Sequence, residues 1–296
     1  MTNTVREEIL RALETEGLVR NKNKARCSRC GCKFPKNTML GSQINNRTNG
    51  KYRYTCVNCL PNTRYHGNEV IEVGTPTADL MKNGMELEMN FINESVRNWF
   101  YDKQWSSTND SSLHDEEHRG ATCEMVSPLT NGFNRLNKQI NTIGKYLEEG
   151  LIEMNDSCGT HFHVSVNGMV ANGENLMNRL RNNRKNIFGD MEKLMLSNPQ
   201  KTKEFFGRNF THYANTFAHE HVSSRYAWLN LTRNTDIEFR LNKFVTAKQY
   251  HDLCNFEIAL VRYIVKNAND PNVKYSEMRQ TIAQMLEKAW AWKSPH

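Results

Sequence analysis

The chain has 296 residues, a length that permits one enzyme-sized domain and a small additional module. Its net charge of +7 suits an anionic partner, and nucleotide, nucleic acid and acidic substrate satisfy that charge equally. With a mean hydropathy of -0.73 and no apolar run near the ~20 residues that cross a bilayer, the expectation is a polar chain with no membrane partner.

Residues 1–20 are charged and helix-patterned, with Val5, Ile9, Leu10 and Leu13 at helical spacing. They lack the continuous apolar stretch of a secretory signal, which places the expected location in the cytoplasm. Four of the 8 cysteines then form two knuckles, Cys27-Ser-Arg-Cys30 and Cys56-Val-Asn-Cys59. Two thiolate pairs on tight turns suit tetrahedral Zn2+, which supplies folding energy to a segment too small for its own core. Between them Tyr52-Arg-Tyr-Thr55 reads as a strand after a turn, so residues 21–66 are expected to form a zinc ribbon. Cys32 or His66 is able to replace one of the four ligands. Arg20, Lys22, Lys24, Arg26, Arg29, Lys33 and Lys36 give this module a basic surface, either a nucleic-acid contact or a solvated face. Residues 67–80, with Val73-Gly-Thr-Pro-Thr77, form a linker.

The second domain spans 81–296. Its first strand, Asn83 to Phe91, alternates so that Glu86 and Glu88 share one face and Met85, Leu87 and Met89 the other. Paired carboxylates repel unless a cation neutralises them, which on an inward face favours Mg2+ or Mn2+; on an outward face they are merely solvated. Asp102 to Gly120 is polar and reads as a loop carrying a solvated charge run, His114 to Arg119. Ala121 to Pro128 reads as a strand presenting Glu124, and Phe133 to Glu149 as a helix stopped by Gly150. The strand around Thr160 places His161, His163 and Ser165 on one face and Phe162, Val164 and Val166 on the other. Such a pair of imidazoles is a ligand site or a hydrogen-bonded pair on a half-buried sheet. Helical patterns follow across Leu176 to Leu196 and Lys201 to Phe217, the latter including Arg208. Ser224 to Arg240 reads as two strands joined across Thr232 to Thr235, with Asp236, Glu238 and Arg240 on one face. Two helices, about Thr246 to Asn267 and Ser276 to Trp292, close the chain.

Six short stretches occur in order: Gly84-Met-Glu-Leu-Glu88, Asp110-Ser-Ser-Leu113, Glu124-Met-Val-Ser-Pro128, Cys158-Gly-Thr-His-Phe-His-Val164, Arg225-Tyr-Ala-Trp-Leu-Asn-Leu231 and Glu238-Phe-Arg240. Together they resemble the putative amidoligase family, over about Met81 to Tyr250. One stretch departs from it, since Ser111 stands where the family's Asp-Gly-Ser has glycine, which leaves the role of Asp110 open.

The resemblance implies an α+β fold like that of glutamine synthetase and glutamate-cysteine ligase: a curved antiparallel sheet with covering helices, holding ATP and divalent metals in a funnel. It implies an ATP-dependent carboxylate-amine ligase that forms an amide or isopeptide bond through an acyl phosphate. Carried over by motif, Glu86, Glu88, Glu124, His161 and Glu238 are the Mg2+ or Mn2+ ligands. Arg240 holds the transferring phosphoryl group, with Glu124 and Arg225 beside it in the catalytic set. His163, Arg208, Arg225 and Arg240 contact ATP phosphates or the substrate carboxylate. Cys27, Cys30, Cys56 and Cys59 hold structural Zn2+ outside the resemblance. The alternatives are a metal-dependent hydrolase on the same Glu/His cluster, or a zinc-ribbon nucleic-acid-binding protein with an inactive ligase-like fold.

Overall fold

The computed structural model describes the backbone of 24–26, 33–35, 39–43 and 52–56, and residues 82–291 apart from 109, 111, 114–121, 132, 167–172, 234–235 and 269–271. Strands β1 (Lys24–Arg26) and β2 (Lys33–Pro35) form one antiparallel hairpin, and β3 (Met39–Gln43) and β4 (Tyr52–Cys56) another. The strand expected at Tyr52 is therefore present. Cys27, Cys30, Cys32, Cys59 and His66 lie outside the described residues, as do the Cys56 side chain, the 1–20 helix, the 67–80 linker and the His114 to Arg119 run.

The larger region is α+β. In chain order it contains β5 (Lys82–Met89), β6 (Phe91–Ile92), α1 (Glu94–Asp102), β7 (Ser106–Thr108), β8 (Cys123–Val126), β9 (Thr130–Asn131), α2 (Asn134–Glu148), β10 (Ile152–Glu153) and β11 (Thr160–Ser165). Then come α3 (Gly173–Asn182), α4 (Arg184–Ser197), α5 (Pro199–Phe206), β12 (Leu229–Asn230), β13 (Asp236–Phe239), α6 (Ala247–Asn267) and α7 (Tyr275–Ala291). The main sheet is antiparallel, ordered β12-β13-β11-β5-β8-β7, with β9 pairing with β5 beside β8. The central pairings join strands distant in sequence: β5 pairs with β11 across more than seventy residues, and β11 with β13.

Strand alternation divides the sheet into two chemically different faces. Met85, Leu87, Met89, Met125, Phe162, Val164, Ile237 and Phe239 join one continuous core with apolar residues of α1, α2, α4, α6 and α7. Capping fixes two of these helices: Asn93 accepts from the Ser95 amide before α1, and Thr246 from the Gln249 amide before α6. The opposite face carries Glu86, Glu88, Glu124, His161, His163, Asp236 and Glu238, all but the half-buried Glu124 also buried. Among the described residues no helix is long and apolar enough to cross a membrane.

Three expectations change. The helix read across Lys201 to Phe217 ends at Phe206, because Gly207 takes φ 84 and its amide closes on the Lys203 carbonyl. Arg208 therefore lies just past a helix end and not on a helix. The segment after Asp102 is partly ordered as the edge strand β7, since Trp105 is buried and donates its indole N–H to Gln139 at 2.9 Å. The stretch Leu176 to Leu196 is two helices, broken at Asn183.

Candidate metal and anion site

The pairing register explains how residues far apart in sequence meet. Glu88 stands opposite Glu124, and Glu124 opposite Thr108, giving one row across β5, β8 and β7. His161 stands opposite Glu86 in the next row. His163 stands opposite Glu238, and Glu238 opposite Asn230, in a third. Because side chains on one face recur every second residue, adjacent rows bring all of these groups within reach of the His161 ring.

His161 is the hub. Its Nδ1 lies 3.2 Å from Glu86 Oε2 and 3.5 Å from Glu238 Oε1, while its Nε2 lies 3.6 Å from Glu88 Oε1. Two sets of potential ligands result, Glu86 with His161 and Glu238, and Glu88 with Glu124 and His161, each with its donor atoms within 4.8 Å of one another. An imidazole that ligates a cation through one nitrogen carries a proton on the other, so His161 would complete one set and donate its N–H to a carboxylate of the other. Glu88 is further oriented by the Gly159 amide, which donates to its Oε2, and Glu124 by the Thr108 hydroxyl.

The charges in this face are strongly coupled. Burial alone raises the Glu86 carboxyl, but the charge of His163 and hydrogen bonds from His161 and His163 outweigh it and hold Glu86 well below the usual carboxylate range. Burial likewise opposes ionisation of Glu238, yet Arg240, His163 and Arg233 bring it down to about 2. At Glu124 burial, followed by the charge of Glu86, outweighs the Thr108 hydrogen bond and the influence of His161 and pushes it up to about 6. His163 is penalised by burial, but Glu86 and Asp236 raise it to about 9. The His163 ring is fully buried, with Nε2 3.1 Å from Glu86 Oε1 and Nδ1 3.1 Å from Asp236 Oδ2. It thus lies between two carboxylates, fully buried, and is not among the residues that line the neighbouring cavity.

Beside the carboxylates opens a cavity of about 270 Å³ lined by Glu88, His161, Asp110, Arg208, Arg225 and Arg240, with Ser112, Tyr213 and Tyr226. Arg240 reaches Glu238 Oε1 at 2.5 Å and donates from Nε to the Tyr213 carbonyl at 3.2 Å. Arg208 donates to the Arg240 carbonyl at 2.6 Å, and its guanidinium lies over Gly159, where any Cβ would stand 2.9 Å from Nη2. That close approach is the local reason for glycine in Cys158-Gly-Thr. Arg225 is exposed and lies over the Tyr226 ring at 5.1 Å. The lining thus combines three guanidinium groups, which suit phosphate or carboxylate, with the carboxylates of Glu88 and Asp110, which suit cations.

The structure thus gathers Glu86, Glu88, Glu124, His161 and Glu238 into one cluster and Arg208, Arg225 and Arg240 into the lining of one cavity. Sequence reasoning missed Arg233, whose Nε lies 3.1 Å from Glu238 Oε2 and 3.7 Å from Asp236 Oδ2, with Nη2 3.8 Å from Glu86 Oε1. It also missed Asn230, which donates to Glu238 Oε2 at 2.6 Å. Asn230 was legible as the polar residue of Leu229-Asn-Leu231; Arg233 lies between two strands and carries no periodic signal. Comparison with known proteins finds no family model that matches this chain and no curated protein similar to it.

Proposed function

We propose that the chain is an ATP-dependent carboxylate-amine ligase working with two divalent cations. The observation that carries this reading is the sharing of one buried imidazole between two carboxylate pairs, directly beside a cavity walled by three arginines. The donor chemistry fits the cations: oxygen ligands suit Mg2+, and the imidazole nitrogen makes Mn2+ the better match at the position His161 completes. Glu86, Glu88, Glu124, His161 and Glu238 would hold them. Bound there, the cations neutralise phosphate charge and polarise the phosphoryl oxygens.

The chain's own residues account for the rest. Arg240 and Arg208, held by backbone carbonyls at fixed angles, are preorganised for the equatorial oxygens of a phosphoryl group passing from ATP to a substrate carboxylate. Arg225, exposed at the cavity edge, is placed to meet a substrate carboxylate. The carboxylate oxygen bonds to the γ-phosphorus as ADP leaves; an amine nitrogen then bonds to the acyl carbon, phosphate leaves with the bridging oxygen, and the ammonium proton passes to a base. The fold this reading implies is the curved sheet of glutamine synthetase-like enzymes.

The test is mass spectrometry of the full chain incubated with ATP, Mg2+ or Mn2+, and pooled acids and amines. The expected product is lighter by one water than acid plus amine, formed together with ADP and phosphate. Phosphate release that ignores the amine points to a hydrolase, and absence of nucleotide turnover with every pool overturns the ligase reading.

A further inference from the structure

Three buried carboxylates, Glu86, Asp236 and Glu238, converge on Arg233, whose side chain is only 14% exposed. The contacts are divided by oxygen. Arg233 meets Glu238 at Oε2 and Glu86 at Oε1, whereas the oxygens that face the His161 Nδ1 atom are Glu238 Oε1 and Glu86 Oε2. Arg233 thus shares one oxygen of Glu86 with His163 and one of Glu238 with Asn230, while the other oxygen of each faces His161, where a metal ion would sit, so the two occupants are compatible. Arg240 differs: it engages Glu238 through Oε1, on the metal side, and lines the cavity.

The segment bearing Arg233 is held in place from outside the cluster. Arg181 of α3 donates from Nε to the Leu231 carbonyl at 2.9 Å and from Nη2 to the Thr232 carbonyl at 3.1 Å. Asn230 Oδ1 accepts from both the amide and the hydroxyl of Thr232. Arg233 is thus anchored at its base as well as along its guanidinium.

We propose that Arg233 is a built-in third cation of the metal centre: it stands where Glu86 Oε1, Asp236 Oδ2 and Glu238 Oε2 converge, and it limits the centre to two divalent ions. This rests on the reading of the Glu/His cluster as a two-metal site. A guanidinium suits the task because it keeps its charge at every working pH and its fixed fork reaches several oxygens at once. Without it, Glu86 Oε1, Asp236 Oδ2 and Glu238 Oε2 leave a set of three carboxylate oxygens, the hard donors that bind Mn2+.

The experiment is a count of Mn2+ bound per folded full-length chain, by electron paramagnetic resonance of the free ion, for the parent, Arg233→Lys and Arg233→Ala. The parent and Arg233→Lys are expected to hold two ions. Arg233→Ala is expected to hold three, with a metal-free melting temperature below that of the parent and a larger rise on Mn2+ saturation. If Arg233→Ala does not fold without metal, it is refolded in Mn2+ and counted after gel filtration. An Arg233→Ala chain that holds two ions with the parent's Mn2+ dependence, or that Mn2+ fails to fold, overturns the proposal. A folded parent that holds no Mn2+ overturns the two-metal reading itself, and is recognised because it appears in the unsubstituted chain.

Discussion

Glu238 and Arg240, two residues apart at the end of β13, form an ion pair on the buried face of the sheet through Glu238 Oε1, the oxygen that also faces His161. A cation held by Glu86, His161 and Glu238 would meet the guanidinium at this atom, and the two residues should fail differently. Glu238→Gln keeps size and loses charge, so the Mg2+ concentration needed for half-maximal ADP release should rise. Arg240→Lys keeps charge and loses the planar fork, so ATP binding should survive while turnover falls by roughly 10²-fold, the scale of one lost transition-state donor. Amine-dependent ADP release and melting temperature measured on the same preparations separate this from a structural ion pair, for which stability drops and turnover per folded molecule does not.

The two ligand sets share His161 but no carboxylate. Glu124→Gln should accordingly remove one of two bound Mn2+ ions, Glu238→Gln the other, and the double variant both. The chain should stay folded in all three, since each glutamine retains an acceptor for Thr108 or Asn230. A single variant that empties both sites would show one shared binuclear cage in place of two separable positions.

Gly207 precedes Arg208 in sequence and Gly159 lies against its guanidinium, and alanine at each tests a different thing. At Gly207 a Cβ would stand 2.2 Å from the Lys243 carbonyl oxygen on a backbone at φ +84, so Gly207→Ala should cost about 2 kcal/mol or more of stability. At Gly159 the clash is only with the tip of Arg208, a flexible atom that is able to move away. Gly159→Ala should cost under about 1 kcal/mol, within the usual range of mild substitutions, while displacing Arg208 and raising KM for ATP. An unchanged KM in folded Gly159→Ala would remove Arg208 from the proposed phosphate contacts.

Much of this was legible in the chain because the strands obey a two-residue period with unambiguous chemistry on each side. In β5 methionine and leucine alternate with glutamate, and in β11 phenylalanine and valine alternate with histidine, so the two faces follow directly. Sheet order is another matter. Nothing local to Glu124 says that β8 lies beside β5, or that β13 lies beside β11, because pairing partners are set by the packed core. The helix overrun past Phe206 has a similar cause: Phe205, Phe206, Phe210 and Phe217 mimic helical spacing, and one left-handed glycine outweighs them. Arg233 was overshadowed by Arg240, which shares a strand period with Glu238 while Arg233 does not.

Glu257 of α6 supplies a test of the fold that is independent of the site. Its carboxyl is completely buried and accepts from Asn242 Nδ2 at 3.1 Å through Oε2, while Oε1 has no hydrogen-bond partner. Burial holds its pKa well above the ordinary carboxylate value, against the smaller opposing effect of the Asn242 bond. In the unfolded chain the same group ionises near its ordinary value, so above that pH the unfolded state releases a proton that the folded state keeps. Stability is therefore undiminished by Glu257 below the unfolded pKa, and falls as pH rises from there toward the raised folded pKa, by at most about 1.4 kcal/mol per pH unit. Glu257→Gln retains the oxygen that accepts from Asn242 and removes the titration. Urea unfolding of parent and variant from pH 4 to pH 8 should give stabilities that nearly coincide at the acid end and diverge with rising pH, the glutamine chain becoming the more stable. Other titrating groups are common to both proteins and cancel in the difference. Parallel curves across that range would mean that Glu257 is ionised in the folded chain, with a counter-charge that its surroundings in α6 do not provide.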